Sequence, residues 1–304
     1  MDKTKLQDTR ADRVFNAFNL LLMLLVTAVM LYPLYFTVIA SISDPYQVIQ
    51  GNVTWRPLQI TFEAYQNALK NENIWTGYGN TIFYTLFGTM FSLIVTVPTA
   101  YALSKRTLPM RALWTTMFII PLYFSGGLIP TYLIVKDLGL LNSRLSLVIV
   151  GGLNIYNMVV TRVYFQTSIP DTLYEAARID GASELKMFFS IALPLAESIL
   201  AVMTLFYAVA RWNDYFTGLI YLLDPELFTL QQWLRAILLQ NQNALAGGIN
   251  AGDADAAAAA ARLAYMAEAM KYALIFIASA PMLIAYPFVQ KYFIKGIMIG
   301  SLKG

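Results

Sequence analysis

Five stretches of this chain run without a single charged side chain, at 14–43, 73–104, 112–135, 145–161 and 272–290. A sixth, 198–223, is interrupted only by Arg211 and Asp214. A helix needs about 20 mostly apolar residues to cross about 30 Å of hydrocarbon, because each residue rises about 1.5 Å. Runs of this length and frequency leave little choice: the chain is expected to be an all-α membrane protein with six transmembrane helices. The spans are placed at approximately 14–43, 76–103, 112–135, 145–166, 198–223 and 272–290, the fourth extended past Arg162, whose side chain can snorkel to the interface. Composition agrees, with 58% hydrophobic and 13% charged residues against about 45–50% and about 25% in soluble domains. Pro33 and Pro98 fall inside spans, where neighbouring helices can satisfy the freed carbonyls.

Orientation follows from lysine and arginine, which are enriched on the cytoplasmic side. With the N-terminus inside, thirteen of the 21 basic residues lie inside, seven outside and Arg211 in the membrane. Both termini are therefore expected in the cytoplasm. The first apolar run is about twice the 7–15 residues of a signal-peptide core and reads as a retained span.

The absent residues exclude whole chemistries. Without Cys or His there is no disulfide, thiolate nucleophile, thiolate–zinc or imidazole metal site, and no histidine relay. No metal site is expected. A net charge of +3, scattered along the chain, does not describe a nucleic-acid binder. A proton-coupled carrier would bury titratable groups along its path, and only Asp214 qualifies, beside a cation that keeps it ionised.

Two outer loops and one inner loop are long. The first outer loop (44–72) carries a short helical pattern at Phe62, Tyr65 and Leu69. The last (224–271) begins with Leu227, Leu230, Leu234, Ile237 and Leu238 at helical spacing, which suggests an amphipathic helix on the membrane surface or against a partner; the alternative is a mere tether. Asp255 can cap the alanine run 256–261.

The inner loop, 167–197, is the most specific part of the sequence. Residues 175–194 read EAARIDGASELKMFFSIALP. Pro170 and Asp171 set a helix start, and Leu173, Ala176, Ala177 and Ile179 give it an apolar stripe. Gly181 permits a sharp turn. A second short helix follows, with Leu185, Phe188 and Phe189 on its apolar side and Pro194 ending it. Two short helices on a tight turn form a knob suited to a groove on a soluble partner.

This stretch resembles the EAA loop of ABC importer permeases, in which EAA is followed after three residues by G and later by LP. Glu175, Ala176, Ala177, Gly181, Leu193 and Pro194 match; Asp180 and Ala182 match the sugar-importer version. Many members have a second proline four residues after the first, where this chain has Ser198. Residues 123–143, 211–216 (RWNDYF) and 290–304 are similar to MalG-like permeases of carbohydrate importers, in particular their LplC-type, complex-saccharide branch. The resemblance implies a type I ABC importer permease fold in a bacterial cytoplasmic (inner) membrane, in contact with membrane lipid. It implies a homologous partner permease, two cytoplasmic ATPase subunits, an extracytoplasmic solute-binding protein and an oligosaccharide substrate, with an acidic or complex saccharide among the options. The chain has no G-x-x-x-x-G-K-S/T phosphate loop, so ATP and Mg belong to the partner subunits and this chain binds no cofactor and is not an enzyme. A non-sugar solute is the alternative cargo, and an ion-coupled secondary carrier the more distant one.

On that reading Glu175, Ala176, Ala177, Asp180, Gly181, Ala182, Leu185, Phe188 and Pro194 form the ATPase-docking surface, with Leu185 and Phe188 filling the groove. The tail 299–304 reaches toward the ATPases. Arg211, Trp212, Asn213 and Asp214, with Asn154 and Asn157, are candidates for the sugar path. The competing roles are a self-neutralising Arg211–Asp214 pair and helix–helix hydrogen bonds for the asparagines. Tyr123, Phe124 and Tyr132 read as interfacial or packing residues.

Overall fold

The computed structural model describes residues 9–248, 270–284 and 286–287, and they contain helices and connecting segments but no strand. The chain divides into two compact units, one of residues 1–70 with 238–278 and one of 71–237 with 279–304.

The first unit is led by α1 (Arg10–Ser41). Thr9 and Asp12 close a reciprocal capping box at its start, which satisfies two otherwise orphaned donors. At Pro33 the helix continues, and Thr37 Oγ1 donates to the Pro33 carbonyl at 2.9 Å. The side chains of α1 are exposed along nearly its whole apolar length; only Ile39, Ala40 and Ser41 are buried. Ile39 and Ala40 pack with Val48 and Val53, next to α2 (Pro45–Ile49). The pattern at Phe62–Leu69 forms α3 (Glu63–Lys70), whose Tyr65 meets Phe276 edge-on at 6.3 Å.

The second unit is organised around α4 (Glu72–Ser104). One face of α4 buries Gly77, Thr81, Gly88, Ser92, Thr96 and Ala100, small residues that let other helices come close, as is usual between membrane helices. α5 (Arg111–Tyr123) and α6 (Leu128–Asp137) follow, then α7 (Arg144–Ile149) and α8 (Ile155–Ser168), α9 (Asp171–Ile179) and α10 (Glu184–Met187). A π-helical turn (Phe188–Ala192) and α11 (Leu193–Leu195) lead to α12 (Glu197–Trp212), α13 (Phe216–Tyr221) and α14 (Leu230–Gly248). The helix Met270–Ile284, α15, is the last one described.

Three expected spans are broken. The third is two helices, α5 and α6, bent by 116° around Gly127, whose φ is +87°. The fourth parts at Gly151 (φ +69°) and Gly152, where a Cβ on Gly152 would collide with the Phe91 ring. The fifth stops at Trp212 and resumes at Phe216. Among the described residues, two helices, α1 and α4, are long and apolar enough to cross a bilayer, and up to four crossings result when α5–α6 and 184–212 each count as one bent span.

The amphipathic helix expected near 227–238 does not lie free on a surface. Leu230, Leu234 and Ile237 are buried, because α4 offers Gly77 there: a Cβ at that position would stand 3.0 Å from the Leu230 Cα and the Trp233 ring. Asp255, the alanine run 256–261 and the tail 299–304 lie outside the described residues.

Candidate functional site

The knob is built from α9, a turn and the 184–195 helical segment. α9 turns Tyr174 and Ala177 inward and leaves Leu173 exposed and Ile179 87% exposed, so the inward face is one step off the expected stripe. Its end is a Schellman motif: Ala182 N–H donates to the Ala177 carbonyl at 2.9 Å and Gly181 N–H to Arg178 at 3.0 Å. The motif requires a left-handed residue after the cap, and Gly181 supplies it with φ +77°. The Ser183 hydroxyl caps the next helix by accepting from Lys186 N–H at 3.3 Å. Across the turn, Arg178 meets Glu184 at 3.1 Å.

Pro194 does not end the second helix. It lacks the N–H that the preceding turn would use, and the backbone answers by widening: Leu193 N–H pairs with the Phe188 carbonyl in a π turn. The segment breaks at Ala196 instead, where the chain bends by 80° into α12.

Phe188 also departs from expectation. It is 7% exposed and packs 4.9 Å from the Tyr101 ring of α4, so it holds the knob to the bundle rather than filling an external groove. Ala177 is buried with it, whereas Glu175, Ala176, Asp180 and Gly181 are exposed and Ala182 is half-buried. The most exposed large apolar side chains of the knob are Ile179, Leu185 (71% exposed) and Phe189. Phe189 belongs to the apolar side expected of the second helix, and Ile179 to the apolar stripe expected of the first.

Beneath the knob, Lys105 follows the last turn of α4. Its Nζ sits 2.7 Å from the centre of the Tyr174 ring and 4.5 Å from that of Tyr101, an ammonium held by ring faces. Nζ is buried without a hydrogen-bond partner. Burial lowers its pKa from 10.5 to about 8, with the Arg178 charge adding to the effect. Burial likewise pushes the Tyr174 phenol up to about 12. Sequence reading missed this contact; its only trace was the Tyr101–Lys105 spacing of four residues.

The six path candidates have structural employment. The Arg211 guanidinium donates to the carbonyls of Leu147 (2.8 Å), Val150 (2.9 Å) and Val148 (3.3 Å), closing the end of α7 at the helix break. Asp214 acts on Arg211 through charge, but its carboxylate accepts from Thr217 N–H at 3.0 Å in the first turn of α13. Trp212 is buried, its ring 6.1 Å from that of Tyr78, and Asn213 donates to the Val209 carbonyl. Asn154 caps α8 by accepting from the buried Asn157 at 3.0 Å; its own N–H donates to the Tyr207 hydroxyl. Tyr123 and Phe124 are exposed, and Tyr132 stacks on Tyr221. No cluster of metal-ligating side chains occurs among the described residues.

Residues 73–299 match the family described as binding-protein-dependent transport system inner membrane component. Protein LplC of Bacillus subtilis (strain 168) is 36% identical over 299 residues, 98% of both chains. The polygalacturonan/rhamnogalacturonan transport system permease protein YtcP of the same organism is 32% identical over 293 residues, 96% of this chain and 99% of its own. A crystal structure of a bacterial ABC transporter involved in the import of the acidic polysaccharide alginate superposes with a TM-score of 0.81 at 37% identity, covering 94% of this chain and 99% of that one. The chain thus belongs to the inner membrane components of binding-protein-dependent transport systems, the membrane-integral, non-catalytic permease subunits of ABC transporters.

Proposed function

We propose that this chain is one of two permeases in an ATP-driven importer of an oligosaccharide, with a homologous permease beside it, two ATPases below and an extracytoplasmic binding protein above. The knob carries the reading: a turn of fixed geometry at Gly181, standing on the end of α4, presents Ile179, Leu185 and Phe189 with the carboxylate of Glu175. An amphipathic projection of this kind fits the groove of a soluble partner, and an ATPase pulling on it would move α4 through Tyr101, Phe188 and Tyr174. ATP and Mg stay on the ATPases. Six crossings, with both termini in the cytoplasm, complete the arrangement.

An acidic saccharide is the favoured cargo. The support is the resemblance to proteins whose names concern polygalacturonan/rhamnogalacturonan and alginate. The path residues themselves are shared with the partner permease in this reading, and Arg211 is not assigned to the sugar.

The test is ATP hydrolysis by the reconstituted complex with and without binding protein loaded with uronic-acid or neutral oligosaccharides. Stimulation by the loaded protein that is lost in Gly181→Val supports coupling through the knob. Stimulation by neutral sugars alone would overturn the acidic cargo. Stimulation untouched by changes at 181 and 185 would overturn the coupling route.

A further inference from the structure

A cavity of about 260 Å³, with mainly polar walls, opens where α4 and α8 end and α5 and α9 begin. Its lining includes Lys105, Arg106, Arg111, Gln166, Asp171 and Tyr174. Three cations and one carboxylate share this space. The carboxylate cancels little, since Asp171 approaches Arg106 only to 3.9 Å, with both side chains largely exposed, a pairing worth little in water.

Helix ends account for part of the positive charge, because cations favour helix C-termini. Arg111 Nε donates to the Leu103 carbonyl at 3.0 Å, and Gln166 donates to Ser104. That leaves the terminal nitrogens of Arg111 and most of Arg106, with Lys105 Nζ on the tyrosine rings beside them. One turn above Gln166 on α8, Arg162 Nε is also buried with no acceptor. With Arg106 and Arg111 on its rim and Lys105 in its wall, the cavity gathers cations that its one carboxylate, Asp171, does not balance, a lining that suits an anion. Its volume equals several waters at about 30 Å³ each.

The position selects the anion's source. α5 starts at Arg111 and buries none of its side chains; Leu113, Trp114 and Met117 are exposed immediately along it. An apolar track thus leads directly from the cationic pocket and includes Trp114, a residue type enriched at membrane interfaces. Basic pockets between membrane helices on the cytoplasmic side hold acidic headgroups.

We propose that this pocket binds the phosphodiester of an anionic phospholipid, through Lys105, Arg106 and Arg111, with an acyl chain lying along α5. The proposal rests on the orientation in the function proposed above. Because Lys105 also touches Tyr174 of the knob, a bound headgroup would set the rest position of the coupling loop.

The test uses the assembled complex in nanodiscs of phosphatidylcholine with graded phosphatidylglycerol, scored by native mass spectrometry for retained lipid and by crosslinking with a photoactivatable phosphatidylglycerol. The wild type is expected to retain phosphatidylglycerol over phosphatidylcholine and to crosslink within 104–117. Each cation removed should lower retention about fivefold, so Arg106→Gln with Arg111→Gln should lower it about 25-fold, and Arg106→Gln alone, which breaks no hydrogen bond to a helix end, about fivefold at an unchanged melting temperature in phosphatidylcholine. If that variant does not fold, the crosslink in the wild type decides. Equal retention of both lipids, or crosslinking elsewhere only, overturns the site. Displacement by millimolar inorganic phosphate overturns the lipid source. ATP hydrolysis that never responds to binding protein in any lipid defeats the transport reading instead, and leaves the retention result standing.

Discussion

The two ends of α4 solve opposite problems. Near Asn80 the neighbouring backbone is irregular, and side chains satisfy it: Asn80 donates to the Glu226 and Phe228 carbonyls at 2.7 and 3.0 Å, and Tyr84 to Leu227 at 2.8 Å. Leu230 N–H reaches the Thr81 hydroxyl, and Arg211, packed over Gly88, closes the broken α7. At the Tyr101 end the hydroxyls of Tyr101 and Tyr174 and the ammonium of Lys105 are buried without hydrogen-bond partners. Unpaired backbone in an apolar interior is costly, so the backbone of the first end is closed, although the Thr85 and Thr89 hydroxyls and Trp233 Nε1 there are also buried without partners. The second end carries unmet polar groups beside the surface that partners would use. Closed networks hold a structure in one state, while unmet groups leave it open to being shifted by binding.

Removing Arg211 should break the stitched end most severely. Arg211→Ala leaves three buried carbonyls without donors, at about 1–3 kcal/mol each. Thermal unfolding should show a loss of about 3 kcal/mol or more, partly recovered by Arg211→Lys. A normal melting temperature combined with weakened sugar-dependent stimulation would return Arg211 to the transport path.

Phe188 and Leu185 divide the knob end into its inner and outer faces. Phe188→Ala should destabilise by about 3–5 kcal/mol, as for other buried aromatics. Leu185→Ala should stay within about 0.5 kcal/mol in stability yet reduce stimulated ATP hydrolysis. A cysteine at 185 should crosslink to the ATPase and one at 188 should not. The reverse pattern would mean that the knob refolds on docking.

Gly181 tests the turn alone. A Cβ there meets nothing within 4 Å, so the requirement is φ and not space. Gly181→Val should cost about 1–2 kcal/mol and Gly181→Asn distinctly less, because asparagine visits the left-handed region more readily. Equal losses of coupling in the two variants would point to surface contact rather than backbone strain.

Charge-free length revealed α1 and α4, because a crossing needs only apolarity and length. The same signal hid the breaks at 124–127 and 150–154, since an apolar helix interrupted by glycine reads like an unbroken one; Gly126, Gly127, Gly151 and Gly152 were the available warning. The knob's turn was legible because only glycine suits its φ. The direction of Phe188 was not, because spacing shows an apolar stripe without showing which edge of it meets the bundle, and Phe188 and Leu185 fall on opposite edges. Arg211 was noticed as a buried charge, but its partners are carbonyls more than sixty positions away, and carbonyls leave no mark in a sequence.

The smallest effect tests the open end through pH. Lys105 titrates near 8 in the folded protein against 10.5 for an ordinary lysine. Between those values the folded state has released a proton that the unfolded chain keeps, so stability should rise with pH across that window. Below pH 8 both states are charged and the burial penalty is felt in full. Tyr174 opposes this only above pH 10, where the unfolded phenol ionises and the folded one, near 12, does not. Melting temperatures from pH 7.5 to 10 in phosphatidylcholine should therefore rise more steeply for the wild type than for Lys105→Met. Phosphatidylglycerol should flatten the wild-type slope, because a phosphate beside the ammonium lifts its pKa back toward 10.5. Identical slopes in wild type and Lys105→Met would mean that the ammonium is solvated after all, and the contrast between the two ends of α4 would lose its cationic half.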